Sequence, residues 1–243
     1  MVVVEICCGS YEDALAAQRG GAKRIELNSA LHLGGLTPSL ASLKLTKENT
    51  DLKVIAMVRP RGAGFCYGVE EVDTIFADAR LLLEEGADGI AFGFLNSDGE
   101  VDTVLTKKMV KLIHSFNKEA IFHRAFDCTP DAEIALEELI QCQVNRILTS
   151  GLEANASLGK ETIKKLSALA KGRIEILMGS GINSDNAKQL IEATGVSQIH
   201  SSCKDWKEDK TTTRNGVSFA YHNLSDYEVV SEKKVRELIA ALN

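Results

Sequence analysis

Short apolar runs alternate with longer segments in which apolar positions recur at helical spacing, and the alternation continues to the end of the chain. The runs predict strands at Val2–Ile6, Arg24–Leu27, Lys53–Val58, Gly89–Phe92, Ala120–His123, Arg146–Leu148, Ile174–Met178 and Gln198–His200. Helices are expected between and after them: Ser10–Arg19, Ser39–Lys47, Glu70–Glu85, Thr103–His114, Asp131–Gln141, Lys160–Ala170, Asn183–Thr194 and Ser231–Leu242. Ser10 with Asp13 three residues on, Pro38-Ser39 and Thr129-Pro130 read as helix entries. "RGGAKRIEL", "EEGADGIAF" and "ATGVSQIH" each set glycine just past a helix and a strand soon after it. Glycine suits the left-handed position that ends a helix and turns the chain back. Eight strand–helix units of roughly 30 residues predict an α/β fold, a single (β/α)8 TIM barrel over residues 1–243 with a long loop after strand eight. A doubly wound open sheet is the alternative, but no Gly-rich dinucleotide fingerprint follows the first strand.

Composition narrows the classes. A net charge of −6 with no basic stripe argues against nucleic acid as a partner. No apolar run reaches bilayer length, so no membrane partner is expected either. The opening "MVVVEICCGS" lacks the basic start of a signal peptide, which makes a cytoplasmic protein the expectation. There the 6 cysteines stay reduced and act as core fillers, metal ligands or redox groups.

In such barrels the site lies at the C-terminal ends of the strands, and side chains alternate inward and outward along each strand. Glu5 and Cys7 share a side of strand one. Arg24, Glu26 and Asn28 share a side of strand two, and Arg59 and Arg61 are in phase after strand three. "AIFHRAFD" supplies His123, Arg124 and Asp127, and strand eight ends with His200 before Ser201 and Ser202. If the polar parity faces inward, Glu5, Glu26, Arg59, Arg61, His123 and His200 converge on one mouth. The plainer alternative is a buried plug in which these charges neutralise one another, although apolar residues would fill that layer at lower cost. Gly179 and Gly181, in "MGSGINSDN" before a helix expected near Asn183, together with Ser202 and Lys204, form a candidate anion site.

Cys7 is the candidate ligand for a soft ion such as Cu(I). Cys8 points to the opposite face of the strand, while Cys203 is expected to approach Cys7 where strands one and eight meet. Residues 204–230 are long for a connection, and read either as a lid over the mouth, with Arg214 an extra anion contact, or as a solvated excursion.

The chain resembles the CutC family, named as copper-homeostasis proteins. The resemblance is carried by "RIELNSALHLGGLTPS", "MVRPRG", "DGIAFGFL", "DGEVD", "FHRAFD", "RILTSG" and "GSGI", in family order across almost the whole chain. It implies a TIM barrel, a cytosolic location, homo-oligomers of intact barrels, and copper binding. Family members commonly carry cysteine after "RIEL", where this chain has Asn28. The expectation is therefore weaker Cu(I) binding than in a two-cysteine relative, because an amide is a hard, weak donor.

Two readings follow. One is a copper-binding homeostasis protein using Cys7. The other is an enzyme acting on a small anionic or phosphorylated substrate, with Glu5, Glu26, His123 and Asp127 as catalytic groups. In that reading Arg59, Arg61, Arg124, Gly179, Gly181, His200 and Ser202 bind the anion.

Overall fold

The computed structural model describes residues 2–223 and 226–242, so residues 224 and 225 of the long segment after strand eight lie outside the described residues. Eight strands close into a parallel barrel: β1 (Val3–Cys8), β2 (Arg24–Leu27), β3 (Lys53–Met57), β4 (Gly89–Phe92), β5 (Glu119–Phe122), β6 (Arg146–Thr149), β7 (Glu175–Met178) and β8 (Gln198–Ser201). Each pairs with the next, and β8 returns to β1 with His200 opposite Glu5. Helices α1 (Tyr11–Arg19), α2 (Leu40–Asn49), α3 (Val69–Glu84), α4 (Thr103–Ser115), α5 (Ala132–Gln141), α6 (Lys160–Ala170) and α7 (Ala187–Thr194) follow the first seven strands in turn. No helix among the described residues is long and apolar enough to cross a membrane.

Local chemistry starts and stops these elements. Ser10 Oγ accepts the Asp13 N–H at 3.0 Å, and Asp102 and Asp131 cap α4 and α5 in the same way. The glycines of the three helix exits turn the chain in the left-handed region, with φ of +99° at Gly21, +93° at Gly86 and +73° at Gly195. Helix α7 starts at Ala187 rather than Asn183, because Asn183 Oδ1 instead accepts the Asp185 N–H at 2.9 Å in a tight turn.

Between strands and helices lies one large apolar core, including Ile6, Cys8, Ile25, Leu27, Val54, Phe92 and Phe122. The barrel interior is divided. Ile55, Met57, Ala91 and Ile121 form a separate apolar cluster on the β3–β5 side. The opposite side carries Glu5, Arg24, Glu26, Gln198 and His200, all buried.

The first residues of six strands close the bottom. Arg24 donates to Gln198 at 2.7 Å, Lys53 pairs with Glu119 at 2.5 Å, and Arg146 pairs with Glu119 at 3.0 Å and with Glu175 at 2.8 Å.

After β8 the chain does not loop as expected. Strand β9 (Lys204–Glu208) pairs antiparallel with β12 (Asp226–Val230), and between them β10 (Thr213–Arg214) pairs with β11 (Val217–Ser218). Trp206 stacks on His222 with ring centroids 3.5 Å apart. Helix α8 (Glu232–Ala240) then packs on α1. The buried Asp13 carboxylate fastens this hairpin by accepting the Val230 N–H at 2.8 Å.

Candidate functional site at the barrel mouth

A cavity of about 540 Å³ opens at the C-terminal ends of the strands. Cys7, Glu26, Arg59, His123, Arg124, Asp127, His200 and Ser202 all line it, as their positions in the sequence led us to expect. Glu5, Arg61, Gly179 and Gly181 are not among its lining residues.

Glu5 lies one inward layer below Cys7 and belongs to the charged floor. Its carboxylate pairs with Arg24 Nε at 2.6 Å and lies 2.9 Å from His200 Nδ1. Burial works against its charge, but the His200 hydrogen bond and then Arg24 outweigh burial and hold its pKa down at about 2. The plug foreseen as an alternative therefore exists, one layer beneath the mouth.

Arg61 leaves the site because the chain stops being a strand after β3. Ala63 takes a φ of +63°, and the guanidinium of Arg61 turns outward to pair with Glu71 of α3. The Gly179–Gly181 loop turns toward the loop after β6, where Ser180 Oγ donates to Ala154 O at 3.0 Å and Ala156 N to Ser180 O at 3.0 Å. Arg214 lies in β10, exposed and outside the cavity lining, although Lys204 and Glu228 at the hairpin stem do line it.

The cysteines separate by strand parity. Cys8 and Cys203 both belong to the apolar core outside the barrel, and neither joins the ligand group around Cys7. Cys203 lies close enough to Cys8 to help raise its pKa, after burial and Asp13. Its own thiol reaches Ser201 Oγ at 3.6 Å. The expected approach of Cys203 to Cys7 is corrected accordingly: positions 199, 201 and 203 face the helices, and positions 198, 200 and 202 face the lumen.

Two other groups join Cys7. One ligand atom from each of Cys7, Glu26 and His200 lies within 4.8 Å of the others. The Cys7 thiol reaches Glu26 Oε2 at 3.9 Å, and His200 Nε2 stands 3.9 Å from the same oxygen. Asn28 Nδ2 donates to Glu26 Oε2 at 3.0 Å and touches Cys7 Sγ at 3.7 Å. Burial and then Glu26 push the Cys7 thiol well above its ordinary range. Burial raises Glu26 as well. For His200, burial lowers the pKa, but the Glu5 hydrogen bond and then Glu26 prevail and raise it.

Glu5 also determines which nitrogen of His200 faces the cavity. An ionised carboxylate can only accept, so it takes the Nδ1 proton and leaves Nε2 toward Glu26 and Cys7. This carboxylate–histidine arrangement is how proteins orient an imidazole toward a metal.

On the far wall, Asp127 acts as a latch. It accepts from Thr149 Oγ1 at 2.5 Å, from Ser150 N at 3.0 Å, from Ser150 Oγ at 2.9 Å and from Leu152 N at 3.2 Å, and it holds Arg124 Nε at 2.7 Å. Few lone pairs remain for a proton-transfer role. Phe65, Glu153 and Glu228 line the cavity without having been expected there. Phe65 could have been suspected from "VRPRGAGF", since it follows Arg59 closely, but nothing in the sequence marks the other two.

The model of the CutC family matches residues 2–205. A CutC family protein of Treponema denticola is 50% identical over 88% of this chain and 86% of its own length. The copper homeostasis protein cutC homolog of mouse is 40% identical over 98% of this chain and 88% of its own. A solved structure from Streptococcus agalactiae, named for the copper homeostasis protein CutC, superposes with a TM-score of 0.78 at 28% identity, covering 83% of this chain and 99% of that one. A phosphoribosylanthranilate isomerase from Thermotoga maritima, 13% identical with a TM-score of 0.58, shares the barrel fold alone. With the closed barrel and the matching motifs in order along the chain, the protein belongs to the CutC family.

Proposed function

We propose that this chain is a copper homeostasis protein that takes up Cu(I) at the barrel mouth, between the Cys7 thiolate and His200 Nε2. The observation that carries this reading is the convergence of Cys7, Glu26 and His200 ligand atoms within 4.8 Å. Cu(I) is soft and favours sulfur, with imidazole a good second donor. The donor set fits: the thiol comes from β1, the imidazole from neighbouring β8, and Glu5 behind the ring directs Nε2 outward. Glu26 stands beside the pair as a hard oxygen that balances charge more than it binds. Asn28 holds Glu26 in place and offers no second thiolate, so affinity falls below that of a two-cysteine site. The thiol must lose its proton on binding, and its raised pKa makes uptake weaker toward acid.

The reading extends to a reducing, cytosolic setting, in which the Cys7 thiol stays available to a soft ion. Association of one intact barrel with others goes with it, on the strength of the family likeness. The test is an anaerobic competition titration of the reduced protein against a chromogenic Cu(I) chelator, with Zn(II) in a parallel arm. One Cu(I) per chain, lost in Cys7→Ser and much weakened in His200→Asn, is the expected result. Unchanged Cu(I) binding in both variants, or Zn(II) held far more tightly than Cu(I), would overturn it.

A further inference from the structure

The wall of the cavity opposite Cys7 has no role in holding copper, and two of its side chains carry polar atoms with no partner. His123 is 3% exposed and Arg59 5% exposed, and both line the cavity. His123 Nδ1 accepts the Ala125 N–H at 3.0 Å, so a neutral ring carries its proton on Nε2. That Nε2 has no hydrogen-bond partner. Arg59 spends its terminal nitrogens on backbone carbonyls, Nη1 on Leu33 O at 3.0 Å and Gly35 O at 3.1 Å, and Nη2 on Ala63 O at 2.5 Å. Its Nε is buried and unpartnered.

Arg59 also lacks a counter-charge. Of the buried arginines, Arg24 and Arg146 each pair with carboxylates, whereas no carboxylate pairs with Arg59 among the described residues. The neighbouring Tyr67 accepts a hydrogen bond from Arg59 but supplies no charge, because burial raises its pKa despite Arg59 and keeps the phenol neutral. A buried cation without an anion is costly, as is a buried donor without an acceptor. Two such vacancies on one cavity wall define the ligand that would relieve both.

Both groups are rigidly placed. Phe65 packs against both, with the Arg59 guanidinium 5.0 Å over its ring and the His123 ring 5.1 Å away. Gly93 presses on the Nδ1–Cε1 edge of His123, so closely that a Cβ there would lie 2.4 Å from Cε1. Burial and then Arg59 hold the His123 pKa down at about 3, so the ring donates from Nε2 without becoming a cation at physiological pH. The cavity, at about 540 Å³, is also far larger than an ion requires and matches a small organic molecule.

We infer that the mouth of the barrel binds a small organic anion whose carboxylate or phosphate oxygens accept hydrogen bonds from His123 Nε2 and Arg59 Nε. The ligand's oxygens meet a positive charge at Arg59 and a neutral donor at His123. Neutrality at His123 makes the site a reader of oxygen acceptors, with Arg59 supplying the attraction for charge. The inference does not depend on the copper reading.

The experiment uses metal-free protein in the presence of a chelator, with ¹⁵N-labelled histidine, titrated separately with inorganic phosphate and with malonate. Calorimetry gives the affinity, and NMR follows the Nε2 resonance of His123. Saturable, one-to-one binding of either anion that shifts this resonance is the expected result, and the anion that binds more tightly tells phosphate from carboxylate. His123→Asn keeps an oxygen to accept the Ala125 N–H but withdraws the cavity donor, and should bind about tenfold more weakly. Arg59→Lys keeps the charge and loses the Nε donor, with a similar loss. If neither anion saturates, or if both variants bind as tightly as the parent, the inference is wrong.

Discussion

Replacing Glu5 by Gln tests how the charged floor supports the mouth. Glutamine keeps the shape and removes the charge that Arg24 and His200 both face. The folded protein holds the Glu5 pKa at about 2 against an ordinary 4.5, so the fold favours the ionised form by about 3 kcal/mol. Breaking a buried ion pair by removing one partner costs about 3–5 kcal/mol, which agrees. Glu5→Gln should therefore lower the unfolding free energy at pH 7 by about 3 kcal/mol, measured by urea denaturation of metal-free protein.

The sign of the pH dependence follows from the depressed pKa. The Glu5 contribution is complete above the unfolded value near 4.5 and disappears as pH falls toward about 2. The gap between parent and variant should shrink to less than half by about pH 3. The same change reaches the metal site, because a glutamine amide can donate to Nδ1 and shift the His200 proton onto Nε2. Loss of such an orienting partner typically weakens a metal site by about 10- to 100-fold. A difference in stability below about 1 kcal/mol at pH 7, or one that does not change with pH, would refute the reasoning.

Other substitutions separate the remaining roles. Asn28→Cys puts a second thiol within reach of Cys7 and should tighten Cu(I) binding at least about tenfold in the chelator competition. Asp127→Ala strands the donors of Thr149, Ser150 and Leu152 and should cost about 3 kcal/mol or more in urea denaturation, whereas removing the half-exposed Arg124 should cost under about 1.5 kcal/mol. Gly93→Ala drives a methyl into the His123 ring, and should destabilise by about 1–3 kcal/mol while weakening phosphate or malonate binding.

The barrel was readable in the sequence because its local signals agree with one another. Strands β2 and β4 and helix α6 begin and end where the apolar runs and helical spacing put them. Parity also placed Glu5, Glu26, His123 and His200 on the inward side. Height along the strand was harder to read. Glu5 and Cys7 share a face, but two residues of strand separate them by about 6–7 Å, enough to put one in the floor and the other in the mouth.

Positions beyond strand ends were the least legible. Arg61 keeps phase with Arg59 in sequence, but both lie beyond β3, which ends at Met57, so strand parity no longer decides which way Arg61 points. The stretch after β8 is too polar to show strand alternation, and its pairing is visible only through the register that sets Trp206 opposite Glu228. The partnership of Cys7 with His200 needed the closure of β8 on β1, a contact between opposite ends of the chain.

X-ray absorption at the copper edge of the Cu(I)-loaded, reduced protein tests the mouth most directly. One sulfur and one imidazole nitrogen in the first coordination shell, with the sulfur lost in Cys7→Ser, is the expected spectrum. Two sulfurs would implicate a thiol other than Cys7, and a shell of oxygen and nitrogen alone would contradict a thiolate site at Cys7 and His200.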